Sequence, residues 1–279
     1  MPLVSIIMNC YNGERYLREA INSIYEQTYE NWEIIFWDNA SVDNSALIAK
    51  SYDKRLRYFL AEETTPLGKA RSLAIKEAKG GYIAFLDCDD IYFPNKIEIQ
   101  LRKMQDNNAI LSFGSWIKID GNGHELNKYK FKDFYGNQLK KLLRKYTVNF
   151  QTLMIDRKFM KENHMTFNSE LKFAPDFDLV MRISYNFNIM SISDYLVKYR
   201  VHDNSMSKKY QKDKFNDFDN TVNLLRELGA EFKLPSFNKI VLFARYRMQL
   251  RDCLDNRDYK SSLSVTLQNL LALIFPSKR

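Results

Sequence analysis

Cysteine is scarce in this chain: Cys10, Cys88 and Cys253 are the three among 279 residues. Their odd number, wide spacing and lack of a CxxC pair suggest neither a disulfide framework nor a zinc site, and a reducing compartment fits best. No basic stretch followed by an apolar core opens the sequence at Met1-Pro2-Leu3-Val4-Ser5, and no apolar run approaches the roughly 18 residues of a membrane span. The sequence therefore reads as neither secreted through a visible signal nor membrane-spanning. Internal repeats, low-complexity tracts and long linkers are also missing. Charge is not balanced, with 42 Lys and Arg against 34 Asp and Glu, a formal net charge of +8. That excess suits an anionic partner such as a nucleotide, a phospholipid headgroup or a nucleic acid.

What is present is a strand ending in acid. Gly80-Gly81 turns the chain into Tyr82-Ile83-Ala84-Phe85-Leu86, and the run breaks into Asp87-Cys88-Asp89-Asp90. Carboxylates this close repel one another, so a fold that holds them together calls for a cation, most naturally a hard divalent metal gripping a phosphate. A solvated acidic turn that merely ends the strand is the plainer alternative.

Around that stretch, strands and helices alternate. Leu3–Met8, Trp32–Trp37, Leu56–Leu60 and Tyr82–Leu86 read as strands. Glu14–Gln27, with Leu17, Ala20, Ile21 and Ile24 in helical spacing, Asp43–Tyr52 and Gly68–Lys79 read as helices. This order predicts a mostly parallel sheet flanked by helices, with ligands bound beyond the carboxyl ends of the strands. Tyr11, Asp38 and Asp87 to Asp90 follow strand ends and should share one rim.

Further on, a helix is expected from Pro94 to about Met104, a strand over Ala109–Ile119 and a hairpin turn at Asp120-Gly121-Asn122-Gly123. A basic helix over Leu139–Lys145, a strand near Gln151–Ile155, a helix from Asp176 to about Phe187 and a strand over Tyr195–Val201 follow. Beyond Ser205 the pattern is helical, with Phe215–Leu228, Phe237–Leu254 and an apolar last helix over Leu263–Phe275. That last helix either packs on its predecessors or lies on a membrane surface.

Val4-Ser5-Ile6-Ile7, Tyr11-Asn12-Gly13-Glu14, Gln27-Thr28-Tyr29, Asp38-Asn39-Ala40-Ser41, Ala70-Arg71 and Leu86-Asp87-Cys88-Asp89-Asp90, in that order, resemble family 2 glycosyltransferases of the GT-A fold. The resemblance is densest over the first 105 residues. It implies an inverting, non-processive transferase with a Rossmann-like domain over 1–205, divided into a nucleotide-sugar half (1–105) and an acceptor half (106–205), and a helical appendage over 206–279. It further implies that Tyr11 stacks on the donor base, that Asp38 accepts from a pyrimidine N3–H, and that Arg71 pairs with the nucleotide or its phosphates. Asp87 would contact the ribose or water around a Mn2+ or Mg2+ ion. Asp89 would ligate that ion directly, with Asp90 either a second ligand or a cap on the turn.

Ala174-Pro175-Asp176-Phe177-Asp178-Leu179 is similar to the family's Glu-Asp-x-Asp-Leu segment and places the general base at Asp176, with Asp178 as the alternative. The competing role for Asp176 is a helix N-cap. Tyr199-Arg200-Val201-His202 resembles a segment whose histidine approaches the metal or diphosphate, and polar residues Asp203-Asn204-Ser205 follow it. The chain departs from the family pattern where Pro175 replaces the usual glutamate, Asn39 stands where a second aspartate is common and Ser72 where asparagine is usual, and the segment Thr65–Arg71 is shorter than the family's common form. The implied donor is a UDP-sugar and the implied acceptor a glycan or lipid-linked glycan. The setting would be surface-polysaccharide or lipopolysaccharide assembly in the cytoplasm, at the inner membrane face if the C-terminal helices touch lipid. Sugar, linkage and oligomeric state are left open.

Other classes fare worse. A nucleotide-sugar-forming nucleotidyltransferase needs a Gly-rich, Arg-containing loop after its first strand, which Asn9-Cys10-Tyr11-Asn12-Gly13 is not. An aspartyl phosphatase needs Asp-x-Asp-x-Thr after its first strand, but here the acidic motif follows the fourth and Ile91 fills the threonine position. A non-catalytic basic protein binding membrane or nucleic acid would draw on Lys128–Lys145, with Tyr129, Phe131, Phe134, Tyr135 and Tyr146 as stacking surfaces, yet no nucleic-acid motif is present.

Overall fold

The computed structural model describes residues 1–171, 174–203 and 213–255. The expected apolar helix over Leu263–Phe275 lies outside the described residues, as do Asn204 and Ser205. The first half alternates as the apolar runs dictate: β1 (Val4–Cys10), α1 (Glu14–Tyr25), β2 (Trp32–Asp38), α2 (Ser45–Lys50), β3 (Leu56–Leu60), α3 (Leu67–Lys76) and β4 (Tyr82–Phe85). Ile6, Ile7 and Met8 of β1 are all but fully buried, as are Ile34, Ile35 and Phe36 of β2. Such strands read as unbroken apolar runs because helices cover both of their faces. On α1 the stripe Leu17, Ala20, Ile21 and Ile24 is buried as the spacing predicts. On α3, Ala70 and Ala74 are buried whereas Leu73 is only half-buried.

The second half contains β5 (Ile91–Tyr92), α4 (Lys96–Asp106), β6 (Leu111–Ile119), β7 (Glu125–Tyr129), β8 (Phe134–Gly136), α5 (Leu139–Arg144), β9 (Met154–Asp156), α6 (Arg157–Glu162), α7 (Pro175–Asn186) and β10 (Ile189–Arg200). Among the described residues ten strands form one sheet, in the order β3-β2-β1-β4-β9-β6-β10-β5, with β7 paired to β6 and β8 to β10. β1, β2, β3 and β4 are parallel, β9 runs antiparallel to β4 and to β6, and β6 is parallel to β10. The carboxyl ends of β1 to β4, β6 and β10 therefore face the same way. The chain builds outward from β1 to β3 on one side and then places β4 on the other, so β1 and β4 flank a switch point where open sheets form their ligand crevice.

Several expectations are corrected here. β10 starts at Ile189 rather than Tyr195, and bulges between Ile192 and Val197 explain why its alternation is obscure in sequence. The strand expected near Gln151–Ile155 is the shorter β9, and its expected start is a 3-10 turn over Phe150–Thr152. Helix α7 has Pro175 in its first turn and Ala174 at its N-cap, so Asp176 lies inside the helix and is not its cap. The cap position is instead held from outside, by the Asp217 carboxylate accepting from Ala174 N at 3.0 Å.

Asp217 belongs to α8 (Lys214–Glu227), which is followed by the short α9 (Ala230–Lys233) and by α10 (Phe237–Asp255). Phe218 of α8 stacks on Phe177 of α7 at 5.7 Å, and Arg247 of α10 donates to the Arg144 carbonyl at the end of α5. The described C-terminal helices thus brace α7 and α5. Among the described residues no helix is long and apolar enough to cross a membrane.

Candidate active site

The rim loops are latched to one another before any ligand is considered. Asn12 N donates to Ser41 Oγ at 3.0 Å while Val42 N donates to Asn12 Oδ1 at 2.9 Å, joining the loop after β1 to the loop after β2. Asn12 and Ala40 sit at φ 53° and 64°. A left-handed alanine is costly unless its surroundings enforce it, and such strain gathers at working sites. Asn39, the departure from the family pattern, does not face the crevice: its side-chain amide pairs with Thr65 N and O, fixing the chain that enters α3. In that helix a Cβ on Gly68 would stand 2.5 Å from the Asn168 carbonyl, so only glycine lets the helix and the 168 loop approach this closely.

On the β1/β2 side Tyr11 is half exposed at the loop tip, free to offer its ring to a planar ligand. Asp38 is closed off from solvent, and both of its oxygens are engaged, Oδ1 by Ser41 N at 2.8 Å and Oδ2 by Tyr58 Oη at 2.7 Å. In this arrangement it fixes the turn after β2 rather than presenting an open edge.

Across the crevice lies a charged cluster. Arg71, 3 % exposed, comes up from α3, stacks its guanidinium 3.5 Å over the Phe150 ring and pairs with Asp87 Oδ1 at 3.3 Å. Gln151 donates to Asp87 Oδ2, and Tyr146 donates to Asp176 Oδ2 at 3.0 Å. Burial raises the Asp176 carboxyl above the ordinary value, opposed by the Arg71 charge and the Tyr146 hydroxyl. Asp87 is raised too, by burial first, with Arg71 pulling it down and the Asp89 and Asp176 charges pushing it up. About a third of the Asp87 side chain stays open to solvent, which tempers that push. Asp178, the alternative base, is 1 % exposed and committed to Arg182 at 2.7 Å. Of the two carboxylates in the segment, only Asp176 joins the cluster.

Next to it, Asp89 Oδ2 and His202 Nε2 lie 2.9 Å apart at the ends of β4 and β10. A carboxylate and an imidazole suit a divalent cation whose remaining positions are filled by diphosphate oxygens and water. Among the described residues no three His, Cys, Asp or Glu side chains converge on one point, so such an ion would depend on the substrate for part of its shell. Asp90 turns inward. It is fully buried, accepts from Arg200 N at 2.7 Å, and burial together with the Asp89 and Asp87 charges raises its carboxyl well above the usual range.

Arg200, Gln151 and Tyr146 were not legible as site residues. Arg200 is 2 % exposed, donates to the carbonyls of Asp89 and Gly121 and to Glu19, and lies 4.5 Å over the Tyr16 ring. Its sequence signal was its place in Tyr199-Arg200-Val201-His202, where the resemblance singled out the histidine and not the arginine. The aromatic run read as a base-stacking surface is mostly spent elsewhere: Phe131 is buried, Tyr129 stacks on Trp116 at 3.8 Å and Tyr146 serves Asp176. Only Phe134 and Tyr135 of that set remain well exposed.

Comparison with known proteins places this geometry. The model of the family described as Glycosyl transferase family 2 matches residues 5–165. An uncharacterized glycosyltransferase of Methanocaldococcus jannaschii is 34% identical over 76% of this chain and 76% of its own length. The Escherichia coli UDP-Glc:alpha-D-GlcNAc-diphosphoundecaprenol beta-1,3-glucosyltransferase WfgD is 32% identical over 78% of this chain and 84% of its own. Three rickettsial relatives are longer, and the chain spans 29%, 65% and 42% of their lengths. The crystal structure of Staphylococcus aureus TarS 1-349 in complex with UDP-GlcNAc superposes with a TM-score of 0.70 at 19% identity, over 94% of this chain and 90% of that one, a likeness of fold.

Proposed function

The chain belongs to glycosyl transferase family 2, and on that premise we propose that it moves a sugar from a UDP-sugar to an acceptor hydroxyl with inversion at the anomeric carbon. The observation that carries the proposal is the setting of Asp176. It is a helix-borne carboxylate, held at one oxygen by Tyr146 and balanced by Arg71, which also binds Asp87 at the donor rim. A base in that place takes the acceptor's hydroxyl proton as the oxygen attacks the anomeric carbon, and the UDP leaves on the opposite face. Burial raises its basicity above a solvated aspartate's, which favours uptake of that proton.

Tyr11 provides the stacking face for the base, and the turn held by Asp38 forms the floor beneath it. Arg71 and Asp87 orient the ribose and phosphates. Asp89 and His202 would hold a Mn2+ or Mg2+ ion, which when bound neutralises the diphosphate and stabilises the departing charge. Of the two roles expected for Asp90, its burial and its bond to Arg200 N support the structural one: it pins β10 to the acidic turn.

The similarity to WfgD, whose name specifies a lipid-diphosphate-linked acceptor, supports a lipid-linked glycan as acceptor and surface-glycan assembly at the cytoplasmic membrane face as the setting. The test is release of UDP from a panel of UDP-sugars in the presence of an N-acetylglucosaminyl-diphospholipid. Asp176→Asn should abolish acceptor-dependent release and keep UDP binding; full turnover by that variant removes Asp176 as the base.

A further inference from the structure

The two cysteines nearest the site come from the end of β1 and from the turn after β4. β1 and β4 pair in parallel with Ile7 opposite Phe85, and Leu86 N donates to Ile7 O at 3.1 Å, carrying the ladder one residue on. There the ladder ends, and Cys88 follows in the turn between Asp87 and Asp89, past the end of β4, while Cys10 is the last residue of β1. Both sulfurs crowd one point in space: a Cβ on Gly13 would lie 2.8 Å from Cys10 Sγ and 2.6 Å from Cys88 Sγ. Gly13 has φ −102°, so the missing side chain, not an unusual backbone, is what the position requires.

We propose that Cys10 and Cys88 are a disulfide-forming pair beneath the donor site, and that closing the bond shuts off donor binding. The second clause rests on the donor-site reading above. Cys10 is 2 % exposed whereas Cys88 is partly open, so an oxidant enters from the side of Cys88. With glutathione disulfide, Cys88, the more accessible thiol, gives up its proton as it attacks one sulfur, forming a mixed disulfide and releasing one glutathione. Cys10 then attacks the Cys88 sulfur and displaces the second. The protein pair loses two electrons, and its two thiol protons leave on the two reduced glutathiones. A sulfur–sulfur bond of about 2 Å is far shorter than a thiol–thiol contact. Closing it draws the 87–89 turn toward β1 and pulls Asp87 from Arg71 and Asp89 from His202.

The experiment uses the Cys253→Ser protein, which leaves the pair as the sole thiols. It is equilibrated in glutathione redox mixtures, alkylated, mapped by mass spectrometry, and titrated with UDP and Mn2+ in each state. A Cys10–Cys88 linkage should form, UDP affinity should fall by about tenfold or more, and dithiothreitol should restore it. Cys10→Ser and Cys88→Ser, made separately because Cys10 is a core position, should each bind UDP equally in reducing and oxidising buffer. Two alkylated thiols under the most oxidising mixture overturn the pair. A linked protein that binds UDP as well as the reduced one overturns the switch. If the reduced protein binds no UDP, the donor reading and the switch fall together, while the mass map still decides the pair.

Discussion

Replacing Arg71 by methionine separates the charge of the cluster from its packing. Methionine keeps an unbranched apolar stem over Phe150 and Phe167, so the cavity contribution is small. The loss is electrostatic. Arg71 is buried and Asp87 is about one third exposed, so their pair lies between a surface ion pair, about 0–1 kcal/mol, and a broken buried one, about 3–5 kcal/mol. A cost of about 2 kcal/mol follows, since Asp87 can rehydrate on its open side and keeps Gln151. For a chain of this length that is a fall in Tm of roughly 4–8 °C. The same charge holds the Asp176 carboxyl down. Its removal raises that group further, and because a base works only when deprotonated, the acid limb of kcat/KM should move to higher pH. Thermal unfolding and a pH series of UDP release read the two effects, with Arg71→Lys as the charge-retaining control. A Tm within about a degree of the parent together with an unmoved acid limb would refute the claim that Arg71 couples the donor rim to the base.

Tyr146→Phe should move the acid limb in the same direction with little change in donor KM, because it removes a hydrogen bond to the charged form of Asp176 and touches no proposed donor contact; an unchanged limb would show that Tyr146 only packs. At the opposite end of β1, burial tends to raise Glu33, but donors from Ser5, Lys79 N and Arg57 outweigh it and hold its pKa below the ordinary 4.5. A depressed carboxylate stabilises the fold above its unfolded value and loses that contribution as pH falls through its folded one. The urea midpoint should therefore drop on the acid side of pH 4.5, and Glu33→Gln should cost about 2 kcal/mol at pH 7 while flattening the acid decline; a midpoint insensitive to the substitution counts against the network.

The first half of the fold was legible because its signals are local. β1 to β4 are apolar runs ended by turn residues, and the stripe on α1 repeats at helical spacing. The elements that escaped sequence reading are those that tertiary pairing creates: two-residue β5, three-residue β8 and the bulged start of β10 have no period long enough to see. The site divides in the same way. Tyr11, Asp38, Asp87 and Asp89 stand at strand ends, and their rim follows from strand order alone. Gln151 meets Asp87 across 64 residues and Arg200 meets Asp89 across 111, and no periodicity announces either contact. Asp176 and Asp178 look equivalent two residues apart on a helix, and only the partner Arg182 tells them apart. Tyr146 read as one aromatic among several until its hydroxyl was seen on Asp176.

Calorimetric titration of UDP against the parent protein and Asp89→Ala, each with Mn2+ and with chelator, tests the donor site most directly. The account predicts saturable binding to the parent in Mn2+, sharply weakened by chelator and by Asp89→Ala. No binding by the parent, or equal binding by the variant, would contradict it.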